Sequence, residues 1–142
     1  MLKVSKNSVS RILDANLNRA KEGLRVCEEV TRFILDERFL SASLKGIRHK
    51  IDKVASGLIT HKLLRSRNSI SDVGRKIYKN ELERKNIADI FFANIQRVKE
   101  SIRVLEEFSK LEKKNLAIGF KNIRYEIYEI EKKAARKILA IK

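Results

Sequence analysis

Apolar residues recur along this chain at intervals of three and four, which is the spacing of one face of an α-helix. Charged residues fill the intervening positions, so each apolar stripe has a polar side opposite it. The pattern predicts one helix from about Val9 to Leu35 and a second from about Ser41 to Arg65. We expect Ser41 to be the N-cap of the second helix, after a break at residues 36–40.

The second half of the chain repeats the first. Nine of fifteen positions are identical between residues 15–29 (A-N-L-N-R-A-K-E-G-L-R-V-C-E-E) and residues 93–107 (A-N-I-Q-R-V-K-E-S-I-R-V-L-E-E). Residues 44–54 match residues 120–130 in the same way, at an offset of 76 instead of 78. This similarity is too long to arise by chance, and it indicates a tandem duplication.

The duplication predicts the architecture. Repeat two contains predicted helices from about Ile87 to Leu111 and from about Leu116 to Ile141, matching those of repeat one. Two such hairpins bury their apolar stripes against each other, which gives an all-α bundle of four long helices with a pseudo-twofold axis. We expect a single domain over residues 1–142, with repeat one at about 9–65, an insert at 66–86 and repeat two at about 87–141. The insert is long and irregular enough to serve as a lid or binding loop.

Composition narrows the class of protein. The chain has no Pro and only five Gly among 142 residues, too few turn residues for a many-stranded sandwich or barrel. Cys27 is the single cysteine, which excludes a disulfide framework and a cysteine zinc cluster. No secretion signal or membrane span is recognisable, so we expect a cytoplasmic protein without membrane contact. The net charge of +15 favours an anionic partner.

Three polar or small residues fall on the predicted apolar face of the first helix: Asn16, Arg19 and Gly23. Repeat two places Asn94, Arg97 and Ser101 at the same positions. An arginine that points into a core needs a carboxylate or an anionic ligand, because burying an unpaired charge costs several kcal/mol.

Two interpretations of these residues remain open. In the first they form a structural network, in which Glu22 pairs with Arg19 or Glu29 pairs with Arg48 and the pairing fixes how the hairpins pack. In the second, the pseudo-twofold brings arginines of both repeats around one internal cleft that binds phosphate groups, for which the planar guanidinium is well suited. The arginines of that cleft are Arg19, Arg97, Arg48 and Arg124.

The two A-N-x-[NQ]-R-x-K-E-x-x-R-V-x-E-E segments, together with Asp72-Val73-Gly74, resemble a bacterial family of thiamine biosynthesis. These are monofunctional hydroxymethylpyrimidine-phosphate kinases, found alone or fused ahead of thiamine-phosphate synthase. The resemblance extends from about Arg11 to about Ile130. It implies an enzyme that phosphorylates 4-amino-5-hydroxymethyl-2-methylpyrimidine phosphate with ATP and Mg²⁺. A (β/α)₈ barrel needs about 200 residues or more, so we expect the standalone form.

The resemblance also implies roles for particular residues. The expected catalytic residues are Arg19, Arg97 and Asp72, and those that bind substrate or phosphate are Asn16, Asn94, Arg48, Arg124, Arg67 and Gly74. The candidate Mg²⁺ ligands are Glu22, Glu29, Glu100 and Glu107. Gly74 is expected to allow a turn with positive φ, so that the insert closes over the nucleotide.

Two alternatives to the kinase are a basic helical module that binds nucleic acid and a non-catalytic partner of thiamine-phosphate synthase. The first is disfavoured because the most unusual basic residues are predicted to point inward, where a duplex cannot reach them. The expected partners are therefore a small phosphorylated pyrimidine, a nucleotide and thiamine-phosphate synthase, with a homodimer as a further option. Most of the positive charge is expected on outer helix faces, where it identifies no partner.

Overall fold

The computed structural model describes residues 3–58, 60–76 and 78–141. These residues form helices and no β-strand, which confirms the all-α prediction. The α-helices are α1 (Lys6–Glu29), α2 (Arg38–Ala55), α3 (Thr60–Ser66), α4 (Ile87–Ser109) and α5 (Lys114–Ile138). Two shorter elements are a π-helical turn at Val30–Ile34, which continues α1, and a 3₁₀ turn at Lys79–Leu82 in the insert.

The four long helices close into a bundle. α1 lies along α4 in the most extensive contact, α2 and α5 complete the two hairpins, and α2 also packs against α5. The fully buried side chains come from both repeats and include Leu24, Ile51, Phe91 and Phe120. The duplication therefore gave the correct arrangement, because neither hairpin can bury its apolar stripe alone.

Polar caps fix where the first helix of each hairpin begins. The hydroxyl of Ser5 accepts a hydrogen bond from the backbone N–H of Ser8 at 3.1 Å, so α1 begins at Lys6, three residues before the predicted start. In α4, the side chain of Asn86 accepts from the N–H of Asp89 at 2.8 Å. Asp89 in return accepts from the N–H of Lys85 at 3.0 Å, and these two bonds together fix the start of the helix.

The prediction for the second helix is wrong at both ends. The observed helix α2 begins at Arg38 and not at Ser41, because Asp36 takes a left-handed φ of 51° and completes the turn after the π-helical segment. It stops at Ala55, and residues 60–66 form the separate helix α3. Gly57 lies just after the end of α2. A Cβ there would lie 2.7 Å from Cδ2 of Leu116, so the absence of a side chain leaves room for this residue of α5.

The prediction that Arg19 points into the core is also wrong. Its side chain is exposed, whereas Asn16, one turn earlier, is buried as predicted. The buried face of α1 is centred on Leu13, Ala20 and Leu24, because α1 packs against α2 and α3 as well as α4. At 100° per residue, Arg19 lies about a third of a turn from the middle of that face.

None of the helices in the described part of the chain combines the length and the apolar character that crossing a membrane requires.

Candidate functional site

A groove of about 670 Å³ lies between the N-terminal half of α1 and the start of the insert. Its wall along α1 carries Arg11, Asn16 and Arg19, and its opposite wall is the chain that follows α3. Its polar lining consists of Ser8, Arg11, Asp14, Asn16, Asn18, Arg19, Glu22, Arg67, Asn68, Ser69 and Asp72. Five of the residues expected at a functional site therefore lie in one place: Asn16, Arg19, Glu22, Arg67 and Asp72.

An ion pair holds the two walls of the groove together. Nε of Arg67 donates to Oδ2 of Asp14 at 2.7 Å, and Nη2 donates to Oδ1 at 2.8 Å. The Asp14 carboxylate is buried, and its hydrogen bonds to the guanidinium raise the pKa of Arg67. Asp14 was not among the expected site residues, because it lies opposite the apolar stripe predicted for this helix. The base of the insert is thereby fixed to α1.

Two arginines of the groove keep their charge available. Arg11 and Arg19 are exposed, and neither forms a salt bridge with any residue that the structure describes. They lie two helical turns apart on α1 and face the insert, so both line the same groove. A guanidinium in this setting can donate two hydrogen bonds to phosphate oxygens.

The insert is shaped by its own side chains. Oδ1 of Asp72 accepts from the backbone N–H of Gly74 at 2.8 Å, and Oδ1 of Asn68 accepts from the N–H of Ser71 at 3.1 Å. These turns explain why Asn68 and Asp72 stand in this segment. The expectation of a positive φ at Gly74 is wrong, since no glycine in the described ranges has one. Gly74 does not line the groove, whereas Asp72 does.

Arg48 and Arg124 lie in buried ion pairs between helices and not in the groove. Nη2 of Arg48 donates to Oε2 of Glu28 at 3.0 Å, and Nε of Arg124 donates to Oε1 of Glu106 at 2.9 Å. The structural network is thus present, but the carboxylate that pairs with Arg48 is Glu28 and not Glu29 as expected. The two pairs occupy equivalent positions in the two repeats.

The asparagines of the repeated motif bond to their own helices. Nδ2 of Asn16 donates to the carbonyl of Ile12 at 2.9 Å, and Nδ2 of Asn94 donates to the carbonyl of Ile90 at 2.8 Å. Asn16 still lines the groove, while Asn94 does not. Arg97 is exposed on α4, also away from the groove, so the two repeats do not form one shared arginine cleft.

The small residue of the motif serves packing. A Cβ on Gly23 would lie 2.7 Å from Cγ2 of Val98 and 3.1 Å from the carbonyl oxygen of Asn94. The expected space for a ligand beside Gly23 is therefore filled by α4. Because Gly23 has no side chain, α1 and α4 can approach closely at this point, in line with their extensive contact.

The four glutamates expected to bind Mg²⁺ are dispersed. Glu29 pairs with Arg25 at 3.5 Å, Glu107 with Lys110 at 2.8 Å, and Glu100 accepts from Gln96 at 3.2 Å. Glu22 alone lies in the groove. No three acidic, histidine or cysteine side chains converge in the described segments, so the four glutamates form no metal site built from protein ligands alone.

Comparison with known proteins decides the family. Residues 11–133 match the model of the ThiD2 family. The chain belongs to the ThiD2 family. It is 42% identical over 124 residues to a thiamine-phosphate synthase of Nostoc punctiforme, a match that covers 87% of this chain and 34% of the relative. It is 37% identical to that of Synechocystis (92% and 37% covered) and 36% identical to that of Rhodopirellula baltica (95% and 37% covered).

The ThiD2 chain spans about a third of the length of these curated relatives. No solved structure matches it. The expected place in thiamine biosynthesis is confirmed by the family and by the relatives. The kinase interpretation is contradicted, because the relatives are named thiamine-phosphate synthase and not kinase. The expected use of ATP was part of that interpretation and is not retained.

Proposed function

We propose that this ThiD2 chain is a helical domain that binds a phosphorylated pyrimidine and serves thiamine-phosphate synthase as a non-catalytic partner. The observation that carries the proposal is that Arg11 and Arg19, neither of which pairs with a carboxylate among the described residues, line one groove of about 670 Å³. The chain has 33 Lys and Arg against 18 Asp and Glu, so free cations are common on its surface, and it is the shared groove that distinguishes these two. Two guanidinium groups in one groove are suited to an anionic ligand.

The ligand class follows from the groove and from the relatives together. Arginines, an asparagine and hydroxyl groups favour phosphate oxygens, and the volume of the groove suits a small molecule. The relatives are named for thiamine phosphate, which joins a pyrimidine to a thiazole that carries the phosphate. Either half, when phosphorylated, would suit the groove. We propose the pyrimidine because the repeated motif resembles enzymes that act on a phosphorylated pyrimidine. The net charge of +15 would also attract such an anion from solution.

A role beside the synthase is supported by the share of each relative that this chain matches. About two thirds of each relative lies outside the match to this chain, and we assign the condensation of pyrimidine with thiazole to that part. The ThiD2 part would then hold the pyrimidine phosphate and raise its local concentration near the synthase.

The duplication provides a matched control for the binding test. We would titrate the purified chain with 4-amino-5-hydroxymethyl-2-methylpyrimidine phosphate by calorimetry, and compare the Arg19→Ala and Arg97→Ala variants. Both arginines are exposed and stand at the same position of the repeated motif, but only Arg19 lines the groove. Loss of a charged hydrogen-bond donor should weaken binding roughly tenfold or more in Arg19→Ala. Arg97→Ala should bind like the wild type.

Equal weakening in the two variants would contradict the proposed groove, and absence of binding to the wild-type chain would contradict the function. The partner role is tested by adding the chain to a thiamine-phosphate synthase at limiting pyrimidine substrate. We expect the apparent KM for the pyrimidine to fall, and to fall less with Arg19→Ala. An unchanged KM with the wild-type chain would contradict the partner role while leaving the binding result standing.

A further inference from the structure

A second cleft, of about 540 Å³, lies on the other side of the Asp14–Arg67 ion pair. It shares Asp14, Asn18 and Arg67 with the groove described above, so the two spaces adjoin at that pair. The lining of this cleft is mixed, and its polar part includes Lys21 and Asp52, which pair at 2.6 Å. Its apolar part comes mainly from leucines, which the groove lacks: Leu17, Leu58, Leu63 and Leu64.

The cleft exists because the two repeats differ at this point. α2 ends at Ala55, and α3 packs back against α1. In repeat two, α5 continues without a break through the equivalent position, Glu131, to Ile138. The break leaves Leu58 and Leu64 on the cleft wall, and Leu64 is 57% exposed although it belongs to a helix that packs on α1. An exposed leucine beside a charged groove is a contact surface for an apolar group.

The ion pair between the two spaces retains hydrogen-bonding capacity. Arg67 uses Nε and Nη2 for Asp14, and its Nη1 has no hydrogen-bond partner among the described residues. Arg67 can therefore keep its bond to Asp14 and still donate to an anion on the groove side. Its guanidinium plane can also stack on an aromatic ring.

We infer that the leucine cleft binds the ring of a phosphorylated heteroaromatic ligand whose phosphate lies in the groove with Arg11, Arg19 and Nη1 of Arg67. The inference rests on the proposed function and deepens it, since it assigns the two chemical halves of one ligand to two adjoining spaces. The leucines would supply affinity through burial of the ring, and the arginines would select the phosphorylated form. The ion pair holds the insert against α1 at the junction.

The test compares three probes: inorganic phosphate, 4-amino-5-hydroxymethyl-2-methylpyrimidine phosphate and the same pyrimidine without phosphate. The variant is Leu64→Gln, which removes the apolar surface without adding charge, and the matched control is Leu111→Gln. Leu111 is 69% exposed and lines neither space. Wild-type protein should bind the pyrimidine phosphate roughly tenfold or more tightly than inorganic phosphate, because of the buried ring.

In Leu64→Gln that tenfold preference should fall to about threefold or less, while the Kd for inorganic phosphate stays unchanged. Leu111→Gln should keep the full preference. If Leu64→Gln keeps the full preference for the pyrimidine phosphate while Arg19→Ala still weakens binding, the ring site is overturned and the proposed function stands. If no phosphorylated probe binds the wild-type chain, both the inference and the proposed function fail.

A second measurement does not depend on any variant. In methyl NMR spectra, the pyrimidine phosphate should shift the resonances of Leu58, Leu63 and Leu64 through the ring current, and inorganic phosphate should not. Shifts confined to residues on the groove side of Asp14 would place the ring in the groove and overturn the inference.

Discussion

Arg124 donates from Nε to Oε1 of Glu106 at 2.9 Å and from Nη2 to Oε2 at 3.4 Å, and this pair joins α5 to α4. Both side chains are almost enclosed, and the hydrogen bond to Glu106 is the main reason why the pKa of Arg124 lies above its ordinary value. Arg48 and Glu28 join α2 to α1 in the same way. The duplication has therefore preserved a buried ion pair at the interface within each hairpin.

We expect Glu106→Ala to lower the free energy of unfolding by about 3 kcal/mol, because it leaves the charge of Arg124 without its carboxylate in a buried position. The neighbouring Glu107 is the control. Its carboxylate is exposed and pairs with Arg103 and Lys110 on the surface, where solvent screens the charges, so Glu107→Ala should lower the free energy of unfolding much less than Glu106→Ala. Urea unfolding measures both values. Similar small losses in the two variants would show that the buried pair contributes no more than a surface pair.

Gly23 and Gly46 both lie inside helices, but their surroundings differ. A Cβ on Gly23 would collide with Val98, whereas a Cβ on Gly46 would meet no atom within 4 Å. We expect Gly23→Ala to destabilise the fold by about 1–3 kcal/mol through overpacking of α1 against α4. Gly46→Ala should stabilise it by about 0.5–1 kcal/mol, since alanine restricts the unfolded chain.

Thermal unfolding of the two glycine variants gives the test, with opposite shifts in Tm expected. A stabilised Gly23→Ala variant would mean that α1 and α4 can separate without loss, contrary to their close packing at this point.

The repeated motif predicted the fold better than it predicted the site. A duplicated amphipathic hairpin allows few ways to bury its apolar faces, so the four-helix bundle followed from periodicity alone. The position of Arg19 did not follow, because α2, α3 and α4 all pack on α1 and centre its buried face about a third of a turn away from Arg19. Periodicity also could not predict that Leu116, from the other repeat, packs against Gly57 just after α2 ends.

The groove itself depends on a contact that no local pattern encodes. Asp14 and Arg67 are 53 residues apart, and the insert that carries Arg67 has no helical periodicity to indicate which way it folds. Both Arg67 and Asp72 were expected at the site from the family resemblance, and both line the groove. The carboxylate partner of Arg67 on α1, Asp14, is visible only in the folded chain.

The thiol of Cys27 should be unreactive in the folded protein. Its thiol is fully buried, and burial, assisted by the negative charge of Glu131, raises its pKa to about 12. Because the thiolate is the reactive form, we expect no reaction with a disulfide reagent at pH 8 in native conditions and complete reaction in denaturant. Rapid modification of native protein would show that α1 and α4 open locally. The absorbance of the released thiol provides the measurement.

The pKa of Glu107 should depend on one lysine. The hydrogen bond from Lys110 at 2.8 Å is the largest cause that holds the pKa of Glu107 below its ordinary value, followed by the positive charge of Lys110 itself. A carboxylate with a lowered pKa in the folded state stabilises the protein above its ordinary pKa, and this stabilisation is lost as pH falls through the folded value. We expect Lys110→Met to raise the pKa of Glu107 toward its ordinary value, because both the hydrogen bond and the charge of Lys110 are removed.

An NMR titration of the Glu107 carboxyl resonance measures this shift, with the wild-type chain in high salt as the control. Salt screens an exposed pair and should move the pKa in the same direction as the substitution, though by less, because the hydrogen bond remains. If Lys110→Met leaves the pKa unchanged, then Arg103 and Arg124, which also lower it, are sufficient to hold the charge of Glu107. In that case the end of α4 is stabilised by the surrounding positive charge and not by a single bond.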